Sequence, residues 1–89
     1  MLVLPPVLTH AEAAVFSGGL RPLVAQQDAQ VVADASALKE FDSSALAVLL
    51  ACRREAIAAG KSFSVSSLPP RLRQLAGLYG VAELIPATA

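Results

Sequence analysis

Asp42-Ser43-Ser44-Ala45-Leu46 decides how this chain is read, and its flanks supply the meaning. Upstream runs Val31-Val32-Ala33-Asp34-Ala35-Ser36-Ala37-Leu38, a short apolar strand ending in polar turn residues. Downstream runs Ala45-Leu46-Ala47-Val48-Leu49-Leu50-Ala51-Cys52, an apolar run with helical propensity. The order is therefore strand, loop, then two hydroxyls on the first turn of a helix. A helix N-terminus directs unpaired N–H groups outward and favours negative charge. A serine placed there can cap the helix, carry a phosphate or contact a partner. Asp42 is a good N-cap residue and Ser43 could serve instead, so spacing alone puts capping first.

Working outward, Leu2-Val3-Leu4 reads as a short strand broken by Pro5-Pro6, which suit a sheet edge because neither can donate to a ladder; Val7-Leu8 would extend it. Thr9-His10-Ala11-Glu12 has the spacing of a capping box. One helix is expected from about His10 towards Gln26, with Ala13, Val15 or Phe16, Leu20, Leu23 and Val24 inward; Gly18-Gly19 and Pro22 weaken it, and a break near Ser17-Gly19 is the alternative. Ala29 to Asp34 is a near-continuous apolar run, as for a strand buried on both faces. Lys39 to Asp42 is read as a loop, with Phe41 plugging the core. The second helix spans Ser43 to about Ala59 and stops at Gly60. Lys61 to Ser67 alternates polar and apolar, a third strand with Phe63 and Val65 inward. Pro69-Pro70 opens a third helix whose apolar face is Leu72, Leu75, Ala76 and Tyr79, with Arg71, Arg73 and Gln74 in water and Gly80 at its end. Val81 to Ile85 is a last helical turn or tail. Strands alternating with helices define one α/β domain over residues 1–89, with a parallel or mixed β-sheet and helices mainly on one side.

The second helix is apolar all round over residues 45–52, which is the mark of a helix buried on more than one side. Helical spacing places Leu46, Leu49, Leu50 and Ile57 on the sheet, leaving Ser44, Ala47, Val48 and Ala51 pointing away. These mostly small residues would form a flat docking face for another protein, rimmed by Arg53, Arg54 and Glu55; alanine is also simply a good helix former. An exposed apolar face of this kind could also pair two copies of the chain when the partner is absent.

Composition narrows the classes. The chain is 55% hydrophobic and 16% charged with zero formal net charge, apolar enough to imply a sticky face. Arg53-Arg54 is the longest basic block, and with three Phe, one Tyr and no Trp there is no platform for nucleic acid. The run 45–52 is far short of the ~18–20 residues that span a bilayer, and no basic segment precedes an apolar stretch at the N-terminus, so neither membrane insertion nor a signal peptide is expected. Cys52 stands alone in an apolar helix, as a core residue would, and His10 lacks co-ligands for a metal. No Cys/His pair, no Ser-His-Asp arrangement at plausible spacing and no Gly-rich phosphate loop occurs, so no enzyme, cofactor or metal is expected.

A strand, Asp34-x-Ser36, a loop and then Asp42-Ser43-Ser44-x-Leu46 at a helix start resembles the STAS domain family, which includes bacterial anti-sigma-factor antagonists and the cytoplasmic domains of sulfate transporters. Leu68-Pro69-Pro70-Arg71-Leu72 followed by Gly77-Leu78-Tyr79-Gly80-Val81-Ala82-Glu83-Leu84-Ile85 is similar to the C-terminal third of the MlaB-type members, subunits of the Mla phospholipid-transport ABC system of Gram-negative bacteria. The resemblance implies a STAS-like fold and a cytoplasmic accessory subunit, held at the inner membrane by binding the transporter's ATPase subunit (MlaF-like) and serving lipid asymmetry of the outer membrane. It adds Ser43 to the surface read from helical spacing, so the expected partner residues are Ser43, Ser44, Ala47, Val48, Ala51, Arg54 and Glu55, with Asp42 as cap. Among anti-sigma antagonists the first serine after the Asp is phosphorylated, which maps to Ser43 and gives the competing reading. Ala45 stands where the family usually has Gly, so its Cβ would alter a partner's approach.

Overall fold

Pro5 and Pro6 divide the N-terminal apolar stretch between two sheets. In the computed structural model, which describes residues 1–88, strand β1 (Leu2–Val3) lies beside β3 (Gln30–Asp34), and β3 beside β5 (Ser62–Ser66). After the prolines, β2 (Val7–Leu8) pairs instead with β4 (Glu40–Phe41). The Pro6 carbonyl accepts the backbone N–H groups of Lys39 and Glu40 at 2.8 and 3.0 Å. The segment expected to be a loop is thus anchored as a strand, too short at two residues to show a period.

Every described pairing is parallel, including a bridge between Val65 and Ala87, which selects the parallel arrangement over the mixed one. The reason is connectivity: each long crossover contains a helix, which returns the chain to the same end of the sheet. These helices are α1 (His10–Gly18) and α2 (Leu20–Ala25), then α3 (Ser44–Ala58), then α4 (Pro70–Leu78) followed by a 3-10 turn (Ala82–Leu84). Registered residues of parallel strands share a face. Leu2, Ala33 and Val65 lie side by side and are buried, as is Val31. The other face carries Val3, Asp34, Ser62, Ser64 and Ser66, exposed or half-buried, so the helices do cover mainly one side. Phe63, expected inward, is only half-buried.

Local chemistry sets the helix boundaries. The chain breaks at Gly19, between α1 and α2, and resolves the choice at 15 or 16: Phe16 packs on the core while Val15 is 81% exposed. The Thr9 hydroxyl donates to the Glu12 carboxylate, rather than accepting from the backbone as a full capping box would. Lys61 Nζ donates to the carbonyls of Val24, Ala25 and Gln27, at 2.9, 3.2 and 2.6 Å, and so satisfies the end of α2. Gly60 and Gly80 have φ +73° and +71°. Beyond each, the next N–H reaches back to Ala56 or Ala76, a Schellman closure that needs the left-handed conformation. Tyr79, expected inward, is 60% exposed because α4 has already ended. Arg73, expected in water, is half-buried and donates to the Ile85 carbonyl at 2.7 Å. The tail continues alongside β5: Val65 N–H donates to Pro86, and Thr88 N–H to Val65, both at 2.9 Å.

Helix α3 is rotated by roughly a quarter turn from the expected setting. Its buried stripe is Ala45, Leu46, Val48, Leu49, Cys52 and Ala56; Leu50 is half-buried and Ile57 is 54% exposed. The cause is that α3 packs on α1, α2, β5 and α4 at once. The α1–α2 pair covers the side on which Val48 projects, and Val48 is 0% exposed. Ala45 is equally buried, so its Cβ meets the core rather than a partner.

Leu49→Ala should lower stability by about 2–4 kcal/mol in urea denaturation, and Ile57→Ala by no more than about 0.5 kcal/mol. Comparable losses at both positions would contradict this helix rotation. Ser67 has φ 57° and no glycine's freedom. Ser67→Gly should raise stability by up to about 1 kcal/mol; a clear loss would show that the Ser67 side chain stabilises the turn by more than the strain costs.

Candidate functional site

Two Asp-x-Ser turns shape the region at the start of α3. Asp34 Oδ1 accepts the Ser36 N–H at 3.0 Å where β3 ends, and Asp42 Oδ1 accepts the Ser44 N–H at 2.8 Å where α3 begins. Ser43 already has helical backbone angles (φ −62°, ψ −17°) and makes no side-chain cap bond. Asp42 is therefore the capping side chain, as the sequence suggested, and the Ser43 side chain is exposed. The Ser44 backbone, then its hydroxyl, hold the Asp42 carboxyl below its ordinary range, with the nearby His10 adding to the effect. Bonds from Ser36 act likewise on Asp34.

Along α3 runs a seam against α1 and α2 that opens into connected hollows. The upper one, about 180 Å³, is lined by His10, Ala13, Ala14, Ser17, Ser44, Ala47 and Val48. It shares Ser17 with a larger one of about 820 Å³, whose α3 wall is Ala51, Arg54, Glu55 and Ala58 and whose other wall includes Gly18, Leu20 and Arg21. The expected partner residues Ser44, Ala47, Ala51, Arg54 and Glu55 all lie along this groove, while Ser43 stands exposed at the helix start outside the lining. Val48 is a correction: it forms part of the groove floor but is wholly buried, so it offers no exposed docking side chain.

Sequence reading missed the opposite wall. Arg21 Nε donates to Glu55 Oε1 at 3.4 Å across the groove. With Arg21 87% exposed, this pair adds little stability. The Gly18-Gly19 pair was the one available signal that the chain turns there. Phe41 is half-buried with the Arg71 guanidinium 5.7 Å from its ring centroid, tying α4 to the strand before α3.

Burial pushes the Cys52 thiol up to about 11, so it is protonated and unreactive at neutral pH. No three His, Cys, Asp or Glu side chains among the described residues gather as a metal site. No helix among them is long and apolar enough to cross a membrane.

This α/β arrangement, with a capped Asp-Ser-Ser helix start beside an α-helical groove, has a counterpart among known families. A family model described as "Mlab, STAS domain" matches residues 1–86, and the chain belongs to the STAS family. No curated protein matches it. Membership supports a regulatory or accessory role of the STAS type.

The Asp42 cap generates a pH dependence. Its pKa in the folded chain lies below the unfolded value, so its contribution is complete above about pH 4 and is lost as pH falls through the folded value. Asp42→Asn retains a capping side chain but cannot ionise. The urea midpoint of this variant should lie below wild type at pH 7 and converge on it below about pH 4. A gap that stays constant through acid would show that the carboxylate charge contributes nothing at the cap.

Proposed function

We propose that this chain is a non-enzymatic accessory subunit that binds the ATPase of a Mla-type phospholipid-transport ABC complex and supports its assembly and activity. Its place is on the cytoplasmic side of the inner membrane, held there through the transporter, and its role is in outer-membrane lipid asymmetry. The observation that carries this reading is the groove along α3, lined largely by small side chains, in a chain matched by a family model whose description names Mlab. Alanines at 47, 51 and 58 keep the wall low, so a partner helix could approach to an ordinary helix–helix distance of 8–10 Å. Helix-in-groove recognition draws its affinity from such apolar contact and needs no chemistry from the binding module.

One observation favours a second reading. Because Asp42 does the capping, Ser43 is exposed and is not bound into the cap. An anti-sigma-factor antagonist switched by phosphorylation there would add up to about two negative charges beside the groove.

Co-purification of a tagged copy from its native cells distinguishes the two. A stoichiometric ABC ATPase supports the subunit reading. A serine kinase of the anti-sigma type with a Ser43 phosphopeptide, and no ATPase, overturns it in favour of the switch. With purified ATPase, Ala47→Glu should leave the melting temperature unchanged and weaken binding at least tenfold, because it drives a charge into an apolar contact. Ser43→Glu should weaken binding more mildly. Wild-type affinity for Ala47→Glu would place the interface elsewhere.

A further inference from the structure

The lower part of the groove is shut. Arg21 Nε and Glu55 Oε1 meet across it at 3.4 Å, whereas a helix with its side chains is about 10–12 Å wide. The covering wall is mainly α2, which supplies Leu20, Arg21 and Pro22 to the large hollow and Arg21, Val24 and Ala25 to an adjoining one of about 260 Å³. Six residues are too few for a helix to persist alone in water, so α2 is held by what it touches. Leu20 and Val24 are buried in the core. At the far end of α2, Lys61 Nζ donates to the carbonyls of Val24, Ala25 and Gln27 at 2.9, 3.2 and 2.6 Å. Lys61 is itself fixed, because its own N–H closes α3 on the Ala56 carbonyl and the next residue opens β5. At the near end stand Gly18 and Gly19. Neither has a positive φ. A Cβ on Gly18 would meet nothing within 4 Å, and one on Gly19 only the Phe16 carbonyl oxygen at 3.8 Å, so the shut geometry requires glycine at neither position.

We propose that α2 is a gate over the lower groove, hinged at Gly18-Gly19 and latched by Lys61, which swings aside when a partner helix seats along α3. This rests on the docking reading above and adds how the groove is entered. The exposed Arg21–Glu55 pair holds the gate only weakly. The charge-assisted bonds from Lys61 hold it more firmly, and they act on the end of α2 remote from the hinge. Opening uncovers Leu20 and Val24, and the apolar face of the partner replaces the cover they lose. A latch of this kind lowers apparent affinity by the fraction of molecules that are shut, so loosening it speeds binding instead of weakening it.

Native-state hydrogen exchange reads the gate without a partner, and association with the purified transporter ATPase reads its use. In Lys61→Met, which keeps the apolar stem, the amides of Val24 to Gln27 should exchange at least tenfold faster, while those of Leu49 to Cys52 keep wild-type rates. Gly18→Ala combined with Gly19→Ala should slow the same α2 amides several-fold. Association should quicken several-fold in the first variant and slow in the second. If the α2 amides of Lys61→Met keep wild-type rates, or quicken together with those of α3, the gate is overturned whatever the ATPase does. Should Lys61→Met not fold, the glycine variant decides alone, and unchanged α2 exchange overturns the gate. Exchange as expected with association no faster in Lys61→Met means that the partner does not enter past α2; this proposal then falls while the docking reading stands. Wild type that fails to bind the ATPase removes the docking reading and the entry role of α2 with it.

Discussion

Helix α3 has to satisfy four neighbours at once, and small residues on its buried stripe let it do so. Ala45, Cys52 and Ala56 are wholly buried alongside Val48 and Leu49, and the helix packs on β5, α1, α2 and α4. A larger side chain at any of the three would force these elements apart, and overpacking of this sort costs typically about 1–3 kcal/mol. Ala45 itself answers this constraint, close approach within the core. The rest follows from the seating of α3: the α1–α2 pair covers Val48, the seam between that pair and α3 becomes the groove, and the Asp42 cap fixes where the helix starts.

The order of the longer elements was legible because each had a local signal. The apolar run at Val31 to Ala33, the alternation from Ser62 to Ser66 and the glycines at 60 and 80 all mark features that the structure keeps. The setting of α3 was not legible, for a physical reason. A run apolar at eight successive positions has no polar side to fix its phase, so the face Leu46-Leu50-Ile57 looked as suitable as the true one. Helical spacing grouped Leu46 and Leu49 with Leu50 and Ile57, whereas packing against four neighbours buries them with Ala45, Val48, Cys52 and Ala56 instead. Strand β4 was hidden for another reason: two residues carry no periodicity, and their pairing is decided by Pro6 far away in sequence.

The exposed α3 wall of the groove was readable by spacing, and its opposite wall was not. Ser44, Ala47, Ala51, Arg54 and Glu55 share one flank of α3 by spacing alone, and rotating the buried stripe leaves that flank at the seam. Val48 fell on the wrong side of the boundary because nothing in the sequence announced that α1 and α2 would lie over it. Arg21 belongs to the other wall only through the tertiary packing of α2 on α3, and no local pattern identifies such a residue.

The chain's sparse charge bears on specificity. A groove walled by alanines supplies apolar contact to almost any helix with a matching ridge, so area alone discriminates poorly. Charged side chains at the lower rim, Arg54 with the Arg21–Glu55 pair, add what the small residues lack, because a like-charge juxtaposition disfavours wrong partners even where the correct pair gains little affinity. On the docking reading, uncharged positions from Ser44 to Ala51 would permit close approach and Arg54 at the rim would discriminate among what approaches. A phosphate at Ser43 would set up to about two negative charges beside the start of α3 without altering the groove's apolar walls, so modification there would act through charge and not through shape.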